Sequence, residues 1–313
     1  MLNSIEKACI DAYRRRESKS AEADDESSRW VAFGLYTVLD AGRLVREKRT
    51  VASRQDVLYK DDGSPATRLE ADIESLLRSR LEEFEPRATV VGEETGGALS
   101  SSGIEIAIDP VDGTWAFLSS TETYTTTLAV FRDGTPVLGM ISNPTTGEIG
   151  YATAAGDSRL LQLSVFGESD GAISLPEYED ASRETLVNFH PCRTGRSVVR
   201  ALYEAWYERG VRMVRSPGGS PSWALVEAAR GAFVYLNLWS KRPAEPYDLA
   251  PGVLLVRNAG GEVTDLEGNP IDVLRHTGPF VASIHEEGRQ QVAEIARTVL
   301  DSSASASPTQ DEE

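Results

Sequence analysis

Residues Ile104 to Phe117, IEIAIDPVDGTWAF, limit what this chain can become more than any other stretch. Ile104, Ile106 and Ile108 alternate with Glu105 and Ala107, the period-2 pattern of a buried strand. The strand ends on two carboxylates, Asp109 and Asp112, and leaves through Gly113 and Thr114. Pro110 has no N–H to donate and stops the ladder. Two acids delivered to a Gly-Thr turn suit a hard cation beside an anion such as phosphate, the acids holding the cation and bare amides approaching the anion. The plainer reading is a polar turn after a core strand.

Two distant segments have the same character. Val90 to Gly97, VVGEETGG, reads as a strand end carrying Glu93 and Glu94, or as an acidic loop. In EPYDLAPGVLLVRNAGGEVTD, Asp248 stands at the mouth of an apolar helix closed by Gly260 and Gly261, where alone it reads as an N-cap. The three histidines, His190, His276 and His285, fit no metal spacing. That poverty favours chemistry in which a metal activates water over a histidine base.

The segments together resemble the inositol monophosphatase superfamily of lithium-sensitive, magnesium-dependent phosphatases. Its G-E-E, D-P-[IV]-D-G-T-x-N-F and W-D-x-A-[AG]-G patterns are matched by Gly92-Glu93-Glu94, Asp109 to Phe117 and Tyr247 to Gly252. The last of these leads into Asn258 to Asp265, NAGGEVTD, and upstream Lys60 to Thr67, KDDGSPAT, is similar to K-x-D-x-S-P-V-T. The resemblance runs over roughly residues 30 to 300. It implies Mg²⁺ as cofactor, two to three ions per site. Glu93, Asp109 and the Val111 carbonyl would hold one, Asp109, Asp112 and Asp248 a second, and Glu93 would reach a third, weaker ion. Thr114 with Glu70 would orient the attacking water, and Asp112 with the N–H groups of Gly113 and Thr114 would hold the phosphate. It also implies a homodimer. Several positions depart from the pattern: Glu70 for Asp, Tyr247 for Trp, Pro251, and Trp115-Ala116 within the central motif. Thr67-x-x-Glu70 is also a capping box, which needs no catalysis.

The substrate implied is a small phosphorylated metabolite: an inositol phosphate, a sugar phosphate or histidinol phosphate. The K-x-D-G-S-P segment leans towards the histidinol-phosphate and nucleotide branches, and G-E-E leans away from nucleotides. Trp115, Ser220, Lys241 and Arg242 are candidate contacts for the rest of the substrate. Lys241 and Arg242 read equally as a charged surface loop, and Ser220-Pro221 as the N-cap and first residue of a helix. Two rival readings are a haloacid-dehalogenase-type phosphatase, whose D-x-D-G-T has different spacing, and a family member that has lost catalysis and only binds.

Successive hairpins from Tyr124 to Ala152 imply an antiparallel sheet and an α+β first half. Alternating strand and helix from about Leu186 imply a smaller α/β second half packed on it. The resemblance makes this a layered αβαβα sandwich. The expected division is an extension or loosely docked helix at 1–28, the metal- and phosphate-binding half at 29–180, the α/β half at 181–300 and a disordered tail at 301–313. Val31, Leu35, Val38, Gly42 and Val45 mark a packing helix, and Ile73, Leu76, Leu77, Leu81 and Phe84 the inner face of another. The threonine run Thr125 to Thr127 reads as strand propensity. A formal charge of −17 argues against nucleic-acid or anionic-membrane partners. With no apolar run long enough to span a membrane, no signal-peptide core and only two distant cysteines, Cys9 and Cys192, the chain reads as cytoplasmic.

Overall fold

The computed structural model describes residues 1–14, 25–49, 57–60, 65–163, 170–177, 185–191, 194–216, 218–238 and 245–305. Helices α1 (Ser4–Arg14) and α2 (Glu26–Arg49) precede the hairpin of β1 (Val57–Tyr59) and β2 (Pro65–Thr67). Next come α3 (Arg68–Phe84), β3 (Thr89–Gly92), β4 (Ile104–Asp112) and the short α4 (Thr114–Leu118). A meander follows: β5 (Thr125–Arg132), β6 (Thr135–Asn143), β7 (Glu148–Thr153), β8 (Ser158–Gln162) and β9 (Gly171–Ser174). The chain then alternates through β10 (Leu186–His190), α5 (Arg196–Glu208), β11 (Met213–Arg215), α6 (Pro221–Arg230), β12 (Val234–Asn237) and α7 (Pro246–Asn258). It ends with β13 (Glu262–Thr264), β14 (Phe280–Ser283) and α8 (Glu286–Ser305).

The elements stack in five layers. A seven-stranded sheet runs β3-β4-β5-β6-β7-β8-β9, antiparallel except where β3 lies parallel to β4. Its alternating pattern buries both faces. Ile106, Ile108, Leu128, Val130 and Met140 pack against α1, α2 and α3, while Ala107, Ala129, Phe131 and Ile141 pack against α6 and α7. A second sheet, β11-β10-β12-β14-β13, covers the far side of those two helices with Tyr235, Phe280 and Ala282. Its other face meets α5 and α8 through Phe189, Trp206 and Val292. This is the expected αβαβα sandwich.

Some expectations change. Part of the Lys60–Thr67 loop is strand, because Pro65 to Thr67 pair with Val57 to Tyr59. Residues 1–28 do include a docked helix, but it is not loose: α1 buries Cys9 and Ile10 in the first core layer. Leu76 is exposed rather than inward, whereas Phe84 does face the core and stacks on Phe33. Helix α8 continues through Ser305, and the rest of the proposed disordered tail, 306–313, lies outside the described residues. Among the described residues no helix is long and apolar enough to cross a membrane.

Candidate active site

The site is built on the C-terminal ends of β3 and β4. In a regular strand, residues three apart point to opposite faces, so Asp109 and Asp112 could not cooperate. A bulge solves this. Asp109 pairs with Thr127 and Asp112 with Thr125, so β4 spends three steps where β5 spends two. The extra residue restores both carboxylates to one side, as bulges do when they re-aim a side chain. Pro110 fits here because its missing N–H falls where the ladder is broken. The Thr126 hydroxyl donates to the Pro110 carbonyl at 2.8 Å, and the Val111 N–H donates to Asp109 Oδ1 at 2.7 Å. The threonine run therefore braces the bulge as well as favouring extended backbone.

Gly113 follows with φ +93°, a left-handed conformation that costs a side-chain-bearing residue energy. A Cβ there would also come within 2.8 Å of the Ser220 nitrogen, so glycine is required twice over. The close approach seats the N-terminus of α6 on Asp112. Its Oδ2 accepts from the Ser220 hydroxyl and from the Ser222 N–H at 3.1 Å. Ser220 also accepts from the Trp223 N–H at 2.9 Å and is buried, so its hydroxyl serves Asp112 and the helix cap.

Asp248 arrives from α7. The N-cap there is Glu245, not Asp248, which occupies the first turn and is buried. The amide end of the helix favours a negative charge at that position. Ser222 donates to the Asp248 carbonyl at 2.8 Å, tying α6 to α7 beneath the site. Asp109, Asp112 and Asp248 offer oxygens all within 4.8 Å of one another.

Three buried carboxylates so close repel. Burial raises the Asp109 carboxyl well above its ordinary value, and the charges of Glu93, Asp248 and Asp112 raise it further. Burial pushes Asp112 up to about 6, against the pull of its Ser220 and Ser222 hydrogen bonds. Asp109 Oδ2 is buried and has no hydrogen-bond partner. An orphaned acceptor facing like charges is costly unless a cation completes the group. The donors are all oxygen, which selects a hard cation over a thiophilic one.

Glu93 lies within electrostatic reach but is held elsewhere: the Lys60 ammonium sits 2.6 Å from Glu93 Oε1 and 2.7 Å from Glu94 Oε1. Burial alone would depress that ammonium, but the two glutamates outweigh it and the net shift is upward. A cleft of about 490 Å³ opens beside Glu93 and Tyr247. Glu70 forms the capping box and also touches Thr114. Its Oε2 accepts from the Thr67 N–H in a capping box, and its Oε1 accepts from the Thr114 hydroxyl at 2.8 Å. Burial pushes Glu70 up to about 7, with the Thr67 and Thr114 hydrogen bonds opposing. Trp115 is 57% exposed beside Thr114. Lys241 and Arg242 lie outside the described residues.

The sequence profile of the inositol monophosphatase family matches residues 27–301. The chain belongs to the inositol monophosphatase family. The chloroplastic bifunctional phosphatase IMPL2 of Arabidopsis thaliana is 27% identical over 80% of this chain and 68% of its own length. The histidinol-phosphatase of Mycobacterium tuberculosis is 27% identical over 67% of this chain and 77% of its own. The inositol-1-monophosphatase of Synechocystis is also 27% identical, over 74% and 77%. Among solved structures, an IMPase from Thermotoga maritima superposes with a TM-score of 0.69 at 22% identity, over 88% of this chain and 99% of that one. As a member of this metal-dependent family the protein is a phosphoric monoester hydrolase, and its fold is the family's. The dehalogenase-type reading falls away. Helix α1 lies outside the matched segment but docks on residues within it, Tyr151 and Arg159.

Proposed function

We propose that the protein is a Mg²⁺-dependent phosphatase of a small phosphomonoester, of the histidinol phosphate, inositol phosphate or sugar phosphate type. The observation that carries this reading is the bulge in β4, which turns Asp109 and Asp112 together onto Asp248 and leaves Asp109 Oδ2 orphaned. Asp109, Asp112, Asp248, Glu93 and the Val111 carbonyl are the residues to hold Mg²⁺. Bound there, Mg²⁺ neutralises phosphate charge and makes a water acidic enough to supply a nucleophile near neutral pH.

The chain's own groups do the rest. The Thr114 hydroxyl spends its proton on Glu70 Oε1, so its lone pairs are left to accept from a water and fix that water's direction. Glu70, with a pKa of about 7, is poised to receive a proton at neutral pH. The amides of Gly113 and Thr114, at the turn from β4 into α4, take phosphate oxygens. Ser220 and the Ser222 amide hold Asp112 in place and so act as positioning groups. Exposed Trp115 borders the site as a contact for the non-phosphate part of the substrate.

A histidinol-phosphatase and an inositol-1-monophosphatase are equally similar to the chain, so identity does not choose among substrates. The test is phosphate release from histidinol phosphate, inositol 1-phosphate and fructose 1,6-bisphosphate, with Mg²⁺ and with EDTA. The reading expects Mg²⁺-dependent release, fastest from one of them. Undiminished release in EDTA overturns the metal dependence. No release from a broad phosphomonoester panel leaves the binding-only reading standing instead.

A further inference from the structure

The Glu93 loop is held by a residue that neither the motif nor the capping box contains. Helix α3 carries Glu70, Glu74 and Arg78 at successive four-residue steps, which places them on one face. Glu70 reaches the loop after β4 through Thr114. Glu74 and Arg78 reach the loop after β3. Glu74 is fully buried, and its two oxygens accept the Glu94 N–H at 2.8 Å and the Thr95 N–H at 2.6 Å, with the Thr95 hydroxyl as a third donor. Arg78 takes the opposite polarity, donating to the Val90 and Gly96 carbonyls and to Thr95 Oγ1. The loop itself closes tightly, with Gly92 and Gly96 exchanging backbone hydrogen bonds.

Gly92 fits the same arrangement. A Cβ built on it would lie 2.1 Å from Glu74 Oε1, 2.3 Å from its Cδ and 2.8 Å from its Oε2. Those are the three nearest atoms, and they belong to a carboxylate that three donors hold in place. The glycine before the Glu-Glu pair is there because the Glu74 carboxylate fills the space a side chain would use.

We infer that Glu74 is a positioning residue for the cation site: by holding the Glu94 and Thr95 amides it fixes the backbone from which Glu93 is presented. The inference rests on the proposed role of Glu93 as a metal ligand. Because β3 and β4 are parallel neighbours, one helix face sets both loops relative to each other. Glu74→Gln keeps the size and one acceptor but turns an NH₂ towards the second amide, so the loop loses part of its hold without a cavity.

The experiment is calorimetric titration of Mn²⁺, which takes the same oxygen ligands, into the full-length wild type, Glu93→Gln and Glu74→Gln. Phosphate release is followed against Mg²⁺ concentration in parallel. Glu74→Gln should weaken the binding step that Glu93→Gln removes by about 10–100-fold, the scale for groups that orient a metal ligand. It should leave the other binding steps unchanged and recover most of its turnover at high Mg²⁺, a split that a general loss of fold does not produce. A Glu74→Gln titration superimposable on wild type, beside a weakened Glu93→Gln, overturns the inference and spares the metal site. A wild type that binds no Mn²⁺ overturns the proposed function and this inference with it. Should Glu74→Gln not fold, Gly92→Ala decides the matter. Its methyl group displaces the Glu74 carboxylate in the otherwise unchanged chain, so it should weaken the Mn²⁺ step that Glu93→Gln removes and leave the other steps unchanged. A Gly92→Ala titration superimposable on wild type contradicts the inference.

Discussion

Two carboxylates in this protein are almost equally buried, and they could hardly be treated more differently. Glu6, on α1, is fully buried and fully satisfied. Its Oε1 accepts from the Tyr151 hydroxyl at 2.7 Å and faces Arg159 Nε at 2.6 Å, while its Oε2 accepts from the Asn3 N–H at 2.6 Å and Arg159 at 3.1 Å. Asp109, on β4, has one amide on one oxygen, nothing on the other, and three acids around it. The first acid has its cation built into the chain. The second has a place for one. The difference turns on partners, since burial is nearly the same, and under the proposed function it separates a group kept for stability from one kept for chemistry.

The comparison can be broken most forcefully at Asp109. Asp109→Asn keeps the acceptor for the Val111 amide and removes the charge. Phosphatase activity should fall by about 10³-fold or more, the upper range for one electrostatic group, while circular dichroism stays unchanged. Activity within about tenfold of wild type would remove Asp109 from the site. The reverse applies to Glu6. Glu6→Ala leaves Arg159 without its buried partner and should cost about 3 kcal/mol of stability in denaturant unfolding, with turnover of the folded protein intact. A loss of turnover greater than the loss of folded protein would mean that α1 takes part in chemistry.

Glu70 stands between the two and sharpens the contrast, since one oxygen caps α3 and the other holds Thr114. Gln at this position can keep the cap with its carbonyl, but its NH₂ then donates to Thr114 and reverses that hydrogen bond. Glu70→Gln should reduce kcat by roughly 10²-fold and barely move stability. Glu70→Ala should lose about 1 kcal/mol as well. A Gln variant with normal kcat would leave the capping role alone.

The smallest effect is a pH dependence. In the folded, metal-free protein the Asp109 carboxyl is raised above its ordinary 3.8, so the fold retains a proton that the unfolded chain has released. Stability from this group therefore falls as pH rises from 3.8 towards the folded value. Asn at 109 carries no such penalty. The Tm advantage of Asp109→Asn over wild type, both in EDTA, should be absent below pH 3.8 and grow above it. A gap that stays constant with pH would show that Asp109 is not strained by its charge.

Much of this site could be read in advance, for local reasons. The alternation in β4, the acids at its end, the Glu-Glu pair after β3 and the Ser-Pro start of α6 are short-range signals, and each lies where its pattern implied. What could not be read depends on contacts between distant segments. Asp109 and Asp112 share a face only because β5 supplies one residue fewer across the bulge. Glu74 looks like any solvent-facing acid on a charged helix until the Glu94 and Thr95 amides are brought to it. Ser220 was placed correctly as a cap, but its hold on Asp112 spans more than a hundred residues. Glu6 lies in a polar stretch whose meaning depends on Tyr151 and Arg159.

The central claim is that the aspartate cluster is a cation site, and thermal unfolding with and without Mg²⁺ tests it most directly, free of any assumption about substrate. Wild type should gain about 5 °C at a hundredfold excess of Mg²⁺ over its Kd. Asp109→Asn should unfold at a higher temperature than wild type in EDTA and respond little to Mg²⁺. A wild type indifferent to Mg²⁺, or an Asp109→Asn protein that is less stable in EDTA and still gains the full shift, would contradict the account.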